Sequence, residues 1–216
     1  MSFMGLTPDV LLGRLIVIVL GIPLHEWAHG WMAHMLGDET PELEGRLTLN
    51  PLVHLDPMGT MLILLTGFGW GRAARVNPHR MWRAKNPRMG MALSALAGPL
   101  SNIIQAVLLA LPIRLGLLAH LPAGQAERLY YVLVMAIVVN IGLAVFNMIP
   151  IPPLDGSRVL AGVAAPNIAD FIENLEPVAP YLLMMVLFIL PMIGLDIVRW
   201  LIQPVMFFMV RLLLGM

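Results

Sequence analysis

The sequence predicts an all-α polytopic membrane protein: a three-helix core, a re-entrant or β-hairpin segment, and a C-terminal helical pair. Three observations predict it. Hydrophobic residues make up 59% of the 216 positions and charged residues 12%, about half the charged share of soluble domains. Apolar runs long enough to cross a bilayer recur along the chain. Within the first of them, Leu11 to Leu36, the stretch Ile22 to Gly30 holds two histidines and a glutamate, which persist in hydrocarbon only when something pairs with them. Net charge is zero and no basic tract has the footprint of a nucleic-acid site, so no nucleic acid is expected as a partner. The absence of cysteine removes disulfides, thiolate ligands and a cysteine nucleophile together. One membrane-embedded unit is expected over 1–216, with its core at about 8–158 and the C-terminal pair at about 178–215.

Met1 to Asp9 is a short lead in which Thr7 or Asp9 can cap a helix. It has no basic n-region or cleavage site, so the first helix is expected to stay in the mature protein. Helix one extends to about Leu36 and is interrupted by Gly21 and Pro23. The proline frees a carbonyl and bends the axis, either as a packing kink or to open the wall beside His25. Gly37 ends the helix. Asp38 to Pro57 is polar and acidic. Met58 to Phe68 is apolar but about half a spanning length, and Gly67, Gly69 and Gly71 break it; it reads as a re-entrant segment or a β-hairpin. Residues 71–88 hold Arg72, Arg75, Arg80, Arg83, Lys85 and Arg88, the signature of a cytoplasmic loop. Helix two, about Met89 to Leu118, carries Ser94, Ala95, Ala97 and Gly98 for close helix contact, and Asn102, which needs a partner at depth. Helix three, Leu129 to about Ile149, carries Asn140 and Asn147. Pro150, Pro152 and Pro153 then force extended backbone ahead of Leu154-Asp155-Gly156. Ser157 to Pro180 reads as a loop with one short amphipathic helix, and Tyr181–Leu195 and Ile197–Leu214 as the helical pair around Asp196.

The chemistry concentrates in His25-Glu26-Trp27-Ala28-His29. Residues four apart share a helix face, so His25 and His29 can aim two ring nitrogens at one ion. Glu26 falls within about 60–100° of both at 3.6 residues per turn, within reach of a water on that ion. This is the H-E-x-x-H pattern of zinc peptidases, with two histidine ligands and a glutamate base. Catalytic zinc takes three protein ligands; with no cysteine the third is His, Asp or Glu, and Asp155, behind its rigid proline run, is the expected one. His34 lies near the opposite face from His25 and is expected to have no metal role. His54, His79 and His120 fall in loops and read as surface or hydrogen-bonding residues; Glu173 and Glu176 lie outside any apolar helix. Depth agrees with the ligand set. With the basic loop cytoplasmic, helix two goes out and helix three returns, so Asp155 and His25 meet if helix one runs inward from outside.

His25-Glu26-x-x-His29, Gly98-Pro99 with Asn102, and Asn147-x-x-Pro150-x-Pro152-x-Leu154-Asp155-Gly156 together resemble the three signatures of the site-2 protease family of intramembrane zinc metalloproteases. Asn50-Pro51 to Gly59 and Val76-Asn77-Pro78 resemble its small prokaryotic branch, without a PDZ insert or a C-terminal regulatory domain. The resemblance covers roughly residues 8 to 158. It implies one Zn2+ per chain on His25, His29 and Asp155, Glu26 as catalytic base, and Asn102 and Asn147 beside the site, where one or the other helps hold the oxyanion. It further implies a multi-pass protein of the cell membrane with its active site toward the cytoplasm, acting in regulated intramembrane proteolysis. The expected substrate is a single-span membrane protein, with an anti-sigma factor or a signalling peptide as candidates, and its helix must unwind locally before attack. The rival functions are a metal-ion transporter, with Glu26 as proton relay, and a non-catalytic metal-binding scaffold; a transporter usually repeats its half-site, and no second His pair is present. The C-terminal pair bears no expected ligand and is weakened by Pro191, Gly194 and Pro204, so it is expected either to gate substrate entry or only to thicken the bundle.

Overall fold

Helix α1 (Pro8–Met35) starts where Thr7 Oγ1 accepts from the Val10 N–H at 3.3 Å, so Thr7 and not Asp9 takes the cap. The structure is a computed structural model that describes residues 7–67 and 69–215; Met1–Leu6 of the lead and Phe68 of the apolar segment lie outside the described residues. The interruption expected at Gly21 and Pro23 takes the form of a π-helical turn over Val17–Gly21, with the Ile22 N–H reaching back to the Val17 carbonyl. Pro23 has no N–H to continue the ordinary ladder, and the wider turn absorbs that loss. At the far end Gly37 is left-handed, with φ +110°, and a Cβ there would meet the indole of Trp82. The Arg83 side chain and backbone N–H donate to the Met35 and Leu36 carbonyls, both at 3.0 Å, so the helix end is satisfied.

Helix α2 (Pro57–Thr66) is capped by Asp56, which accepts from the Gly59 N–H at 2.8 Å, and turns at Gly67. The chain returns extended, joined by a single antiparallel bridge between Leu55 and Gly71. Of the two forms open for this segment, the hairpin does not develop among the described residues. Arg14, buried in α1, donates from Nη1 to the Leu64 carbonyl at 2.6 Å, a cation at the carbonyl end of α2.

Helix α3 (Pro87–Arg114) is capped by Asn86 and stops short of Leu118, because Gly116 turns left-handed and Leu117–His120 forms a separate 3-10 turn. Helix α4 (Ala123–Asn147) begins at Ala123, not Leu129: the Pro122 carbonyl accepts from the Gln125 and Ala126 N–H groups and starts the helix among polar residues that read as loop. The stretch 157–180, expected to be mostly loop, instead holds α5 (Asp155–Val163) and α6 (Pro166–Asn174). They bury Ala161, Ala169 and Ile172 against one another, and Arg88 at the start of α3 pairs with Asp170 and Glu173 of α6. Helix α7 (Ala179–Met184) continues through a π turn (Met185–Ile189) to Met192, and α8 (Ile197–Leu214) starts at its Asp196 cap.

Helices α1, α3 and α4 are long and apolar enough to cross a membrane, so the protein is an all-α, multi-pass membrane protein. Gly13 of α1 lies against Val132 and Met135 of α4, and Gly21 against Asn140, so these two helices run parallel. His29 meets Ser94 of α3 while His25 meets Asn102, so α1 and α3 are antiparallel. The end of α1, the start of α3 and the end of α4 therefore share one end of the bundle. Val17, Ile18, Ile22, Ile63, Ala136, Val139 and Leu143 pack where α1, α2 and α4 meet, and this core sits directly beneath the histidines.

Candidate metal centre

His25 and His29 project from one face of α1, as their spacing requires, and their Nε2 atoms lie 3.0 Å apart. Asp155, the first residue of α5, brings Oδ2 to 3.4 Å from each of them. That oxygen is buried and has no hydrogen-bond partner. His29 Nδ1 donates to the Ser94 carbonyl at 2.7 Å, and His25 Nδ1 donates to Asn102 Oδ1 at 2.6 Å. With both Nδ1 protons so placed, the two Nε2 atoms face each other with lone pairs, beside a bare carboxylate oxygen. Three such atoms repel one another unless a cation lies between them. A tetrahedral zinc with bonds of about 2.0–2.1 Å sets its ligand atoms about 3.3 Å apart, so the donor set fits zinc in both chemistry and spacing. It is the only such group of three among the described residues.

A cavity of about 490 Å³ opens beside the three atoms, with Glu26, Asn147, Trp70, Ala74, Phe146 and Leu187 in its walls. Glu26 is buried in that wall, and its Oε2 accepts from the Ala74 backbone N–H at 3.1 Å. The extended chain returning from α2 thus holds the carboxylate that α1 supplies. Asn147 gives one amide N–H to the Leu143 carbonyl at 2.9 Å. Asn102 is fully buried behind His25 and outside the cavity wall, with its Nδ2 donating to Asn140 Oδ1 at 2.9 Å and to the Gly21 carbonyl at 3.3 Å.

The structure therefore gathers His25, Glu26, His29, Asn147 and Asp155 around one space, with Asn102 one layer back. His34 faces Glu42 at 3.4 Å, away from the centre, and His79 and His120 are exposed. His54 is not on the surface: it is fully buried, its Nε2 bonds the Thr48 carbonyl at 2.8 Å, and its own carbonyl accepts from the Arg72 N–H at 2.7 Å. It ties the loop before α2 to the chain after it. Three contributors have no role assigned in the sequence: the Ser94 carbonyl, the Ala74 N–H and Asn140. Asn140 had a signal, since it lies seven residues before Asn147 on the same face of α4.

The profile of peptidase family M50 matches residues 114–190, a span that holds Asn147 and Asp155. The chain is 38% identical to YwhC of Bacillus subtilis (strain 168) over 181 residues, 82% of this chain and 80% of that protein. It is 29% identical to Rip2 of Mycolicibacterium smegmatis over 219 residues, 96% of this chain and 75% of that one. To Rip2 of Mycobacterium tuberculosis it is 31% identical over 169 residues, 74% of this chain and 59% of that protein. The names of all three describe them as zinc metalloproteases. No solved structure matches the chain.

Proposed function

The chain belongs to peptidase family M50 and is a membrane zinc metalloprotease, and from that premise we propose that His25, His29 and Asp155 hold its zinc and that Glu26 is its catalytic base. The observation that carries this reading is the convergence of two Nε2 atoms and a partnerless carboxylate oxygen on a cavity that also contains Glu26. Zinc bound there supplies Lewis-acid polarisation of the scissile carbonyl and lowers the pKa of a water toward about 7. Glu26, oriented through the Ala74 N–H, would take a proton from the attacking water and pass it to the leaving amine nitrogen. Of the two asparagines, Asn147 is the one suited to the oxyanion: it stands in the cavity wall and keeps a second amide N–H beyond the one given to Leu143. Asn102 has both ends of its amide committed and orients His25 instead.

Asp155→Ala and His25→Ala are each expected to take purified protein from about one zinc per chain to none, measured by elemental analysis. Unchanged zinc in Asp155→Ala would remove that residue from the ligand set. The same measurement speaks against the scaffold and transporter readings when joined to peptide cleavage, which neither performs.

The proposed substrate is a single-span membrane protein, an anti-sigma factor or signalling peptide among them, cut in regulated intramembrane proteolysis. The proposed orientation puts the centre toward the cytoplasm. In support, the shared end of α1, α3 and α4 adjoins the basic stretch 71–88. At that end lies a second cavity of about 640 Å³ with Arg88, Arg158, Glu173 and Glu176 in its walls, and it shares Met91 and Arg158 with the first. So charged a lining belongs in water and gives the buried centre an aqueous approach. The chain has no native cysteine, so a cysteine placed at position 80 is expected to label only from the cytoplasmic side; labelling from outside would reverse the topology.

Leu183, Met184 and Leu187 of the C-terminal pair form part of the cavity wall, which supports that pair as the route by which a substrate helix enters. A cross-link tying position 187 to α1 is expected to stop cleavage of a membrane-embedded substrate while sparing a short soluble peptide. Unchanged cutting of both would move the gate to α2.

A further inference from the structure

The two histidines of the centre are held by different devices, and the longer one reaches into α4. His29 gives its Nδ1 proton straight to a backbone carbonyl, that of Ser94. A carbonyl can only accept, so the His29 tautomer is fixed with Nε2 bare. His25 instead faces Asn102, a side-chain amide whose oxygen and nitrogen could exchange places and so reverse what they offer. Something must fix the polarity of that amide.

We propose that Asn140 is a positioning residue of the metal centre, fixing the orientation of Asn102 and through it the tautomer of His25. The Asn140 Nδ2 donates to the Ala136 carbonyl, one turn back in α4, at 3.0 Å. Its Oδ1 is thereby turned to accept, and it accepts from Asn102 Nδ2 at 2.9 Å. The Gly21 carbonyl, at the close of the π turn in α1, accepts from the same nitrogen at 3.3 Å. Asn102 Oδ1 is then the only atom left for His25, and it demands a donor. The run is directional from end to end: His25 Nδ1–H to Asn102, Asn102 to Asn140, Asn140 to a backbone carbonyl that cannot flip. Asn102 and Asn140 are at most 1% exposed, so no water competes to relax the order. The π turn contributes too. A Cβ at Gly21 would overlap Val17 Cγ1 and stand 3.2 Å from Asn140 Oδ1, so the bare backbone of the turn leaves room for that oxygen beside α1. The bundle thus converts two backbone carbonyls, on two different helices, into one bare nitrogen aimed at the ion.

This inference rests on the reading of His25 as a ligand, which His25→Ala tests separately by its zinc content. Asn140→Leu keeps a similar volume but neither donates nor accepts, so the Asn102 amide loses its shorter bond and keeps only the 3.3 Å contact with the Gly21 carbonyl to hold its orientation. The expected result is a fall of about 10–100-fold in zinc affinity, read by chelator competition. In zinc-free protein with 15N-labelled histidine, the His25 Nε2–H tautomer should appear in this variant while His29 keeps its proton on Nδ1. Asn140→Asp is the rescue: a buried acid stays protonated, donates to the Ala136 carbonyl and accepts from Asn102, so zinc affinity should return close to that of the unaltered protein. If Asn140→Leu gives no cooperative unfolding transition, Asn140→Ala, which only removes atoms, is read in its place. Zinc affinity and His25 tautomer unchanged in a folded Leu or Ala variant would overturn the proposal. So would an Asp variant as weak as the Leu one, because that would mark Asn140 as packing alone.

Discussion

Glu26→Gln is expected to bind zinc as the unaltered protein does and to cleave a membrane-embedded substrate at least about 10²–10⁴-fold more slowly, the range that removal of a general base commonly costs. The substitution isolates proton transfer because it changes little else. Glu26 is 8% exposed in the cavity wall, and its Oε2 accepts a hydrogen bond from the Ala74 N–H. A glutamine of the same length can keep that bond with its amide oxygen, so the extended chain 69–74 stays in place. The three ligand atoms belong to other residues and are not touched. What glutamine cannot do is take a proton from water near neutral pH. Activity should be followed on a single-span substrate in liposomes, with zinc content measured on the same preparation. Full activity would refute Glu26 as base; lost zinc would mean that the variant had disturbed the centre and not the proton transfer.

The site was more legible in the sequence than the path of the chain around it. His25, Glu26 and His29 announce themselves because ionisable groups in an apolar helix need a common purpose, and because helical geometry fixes their mutual angles. Asp155 could be reached through the lack of cysteine and the prolines that precede it. Gly21 and Pro23 mark the break in α1, but periodicity and composition could not show that it would take the form of a π turn, with the Ile22 N–H reaching back to the Val17 carbonyl. Helices α5 and α6 were hidden for a different reason. Each is nine residues, too short for a strong period, and they are placed by tertiary contacts: Ala161 packs with Ala169 and Ile172, and Arg88 of α3 pairs with Asp170 and Glu173. The contributors that the sequence concealed most fully, the Ser94 carbonyl and the Ala74 N–H, are backbone atoms. No residue type marks a main-chain group for service, so only the folded chain reveals them.

Gly98→Ala tests how closely the helices must meet at the centre, and it is expected to weaken both stability and metal binding. Alanine in place of glycine within a helix normally stabilises it by about 0.5–1 kcal/mol, and Gly98 lies inside α3. Forcing a Cβ into a packed site commonly costs about 1–3 kcal/mol, more than that gain, so a thermal scan should show a net loss of stability even in the zinc-free protein. The cause lies at the metal centre. A Cβ at position 98 would overlap Nε2 and Cε1 of His29 and press on Cε1 of His25, the very edges that face the ion. His29 cannot simply withdraw, because its Nδ1 is held at 2.7 Å by the Ser94 carbonyl, one turn earlier on the same helix. Helix α3 thus both anchors the ring and leaves the gap it occupies, so a side chain in the gap strains the ring against its own anchor. The expected loss of zinc affinity exceeds the roughly 10–100-fold typical of residues that only support ligands, because here the ligand atoms themselves are displaced. Zinc competition and a thermal scan on one preparation suffice to check it. A variant that binds zinc with unaltered affinity would mean that the rings stand farther from α3 than the structure places them, and that Gly98 serves helix packing rather than the ion.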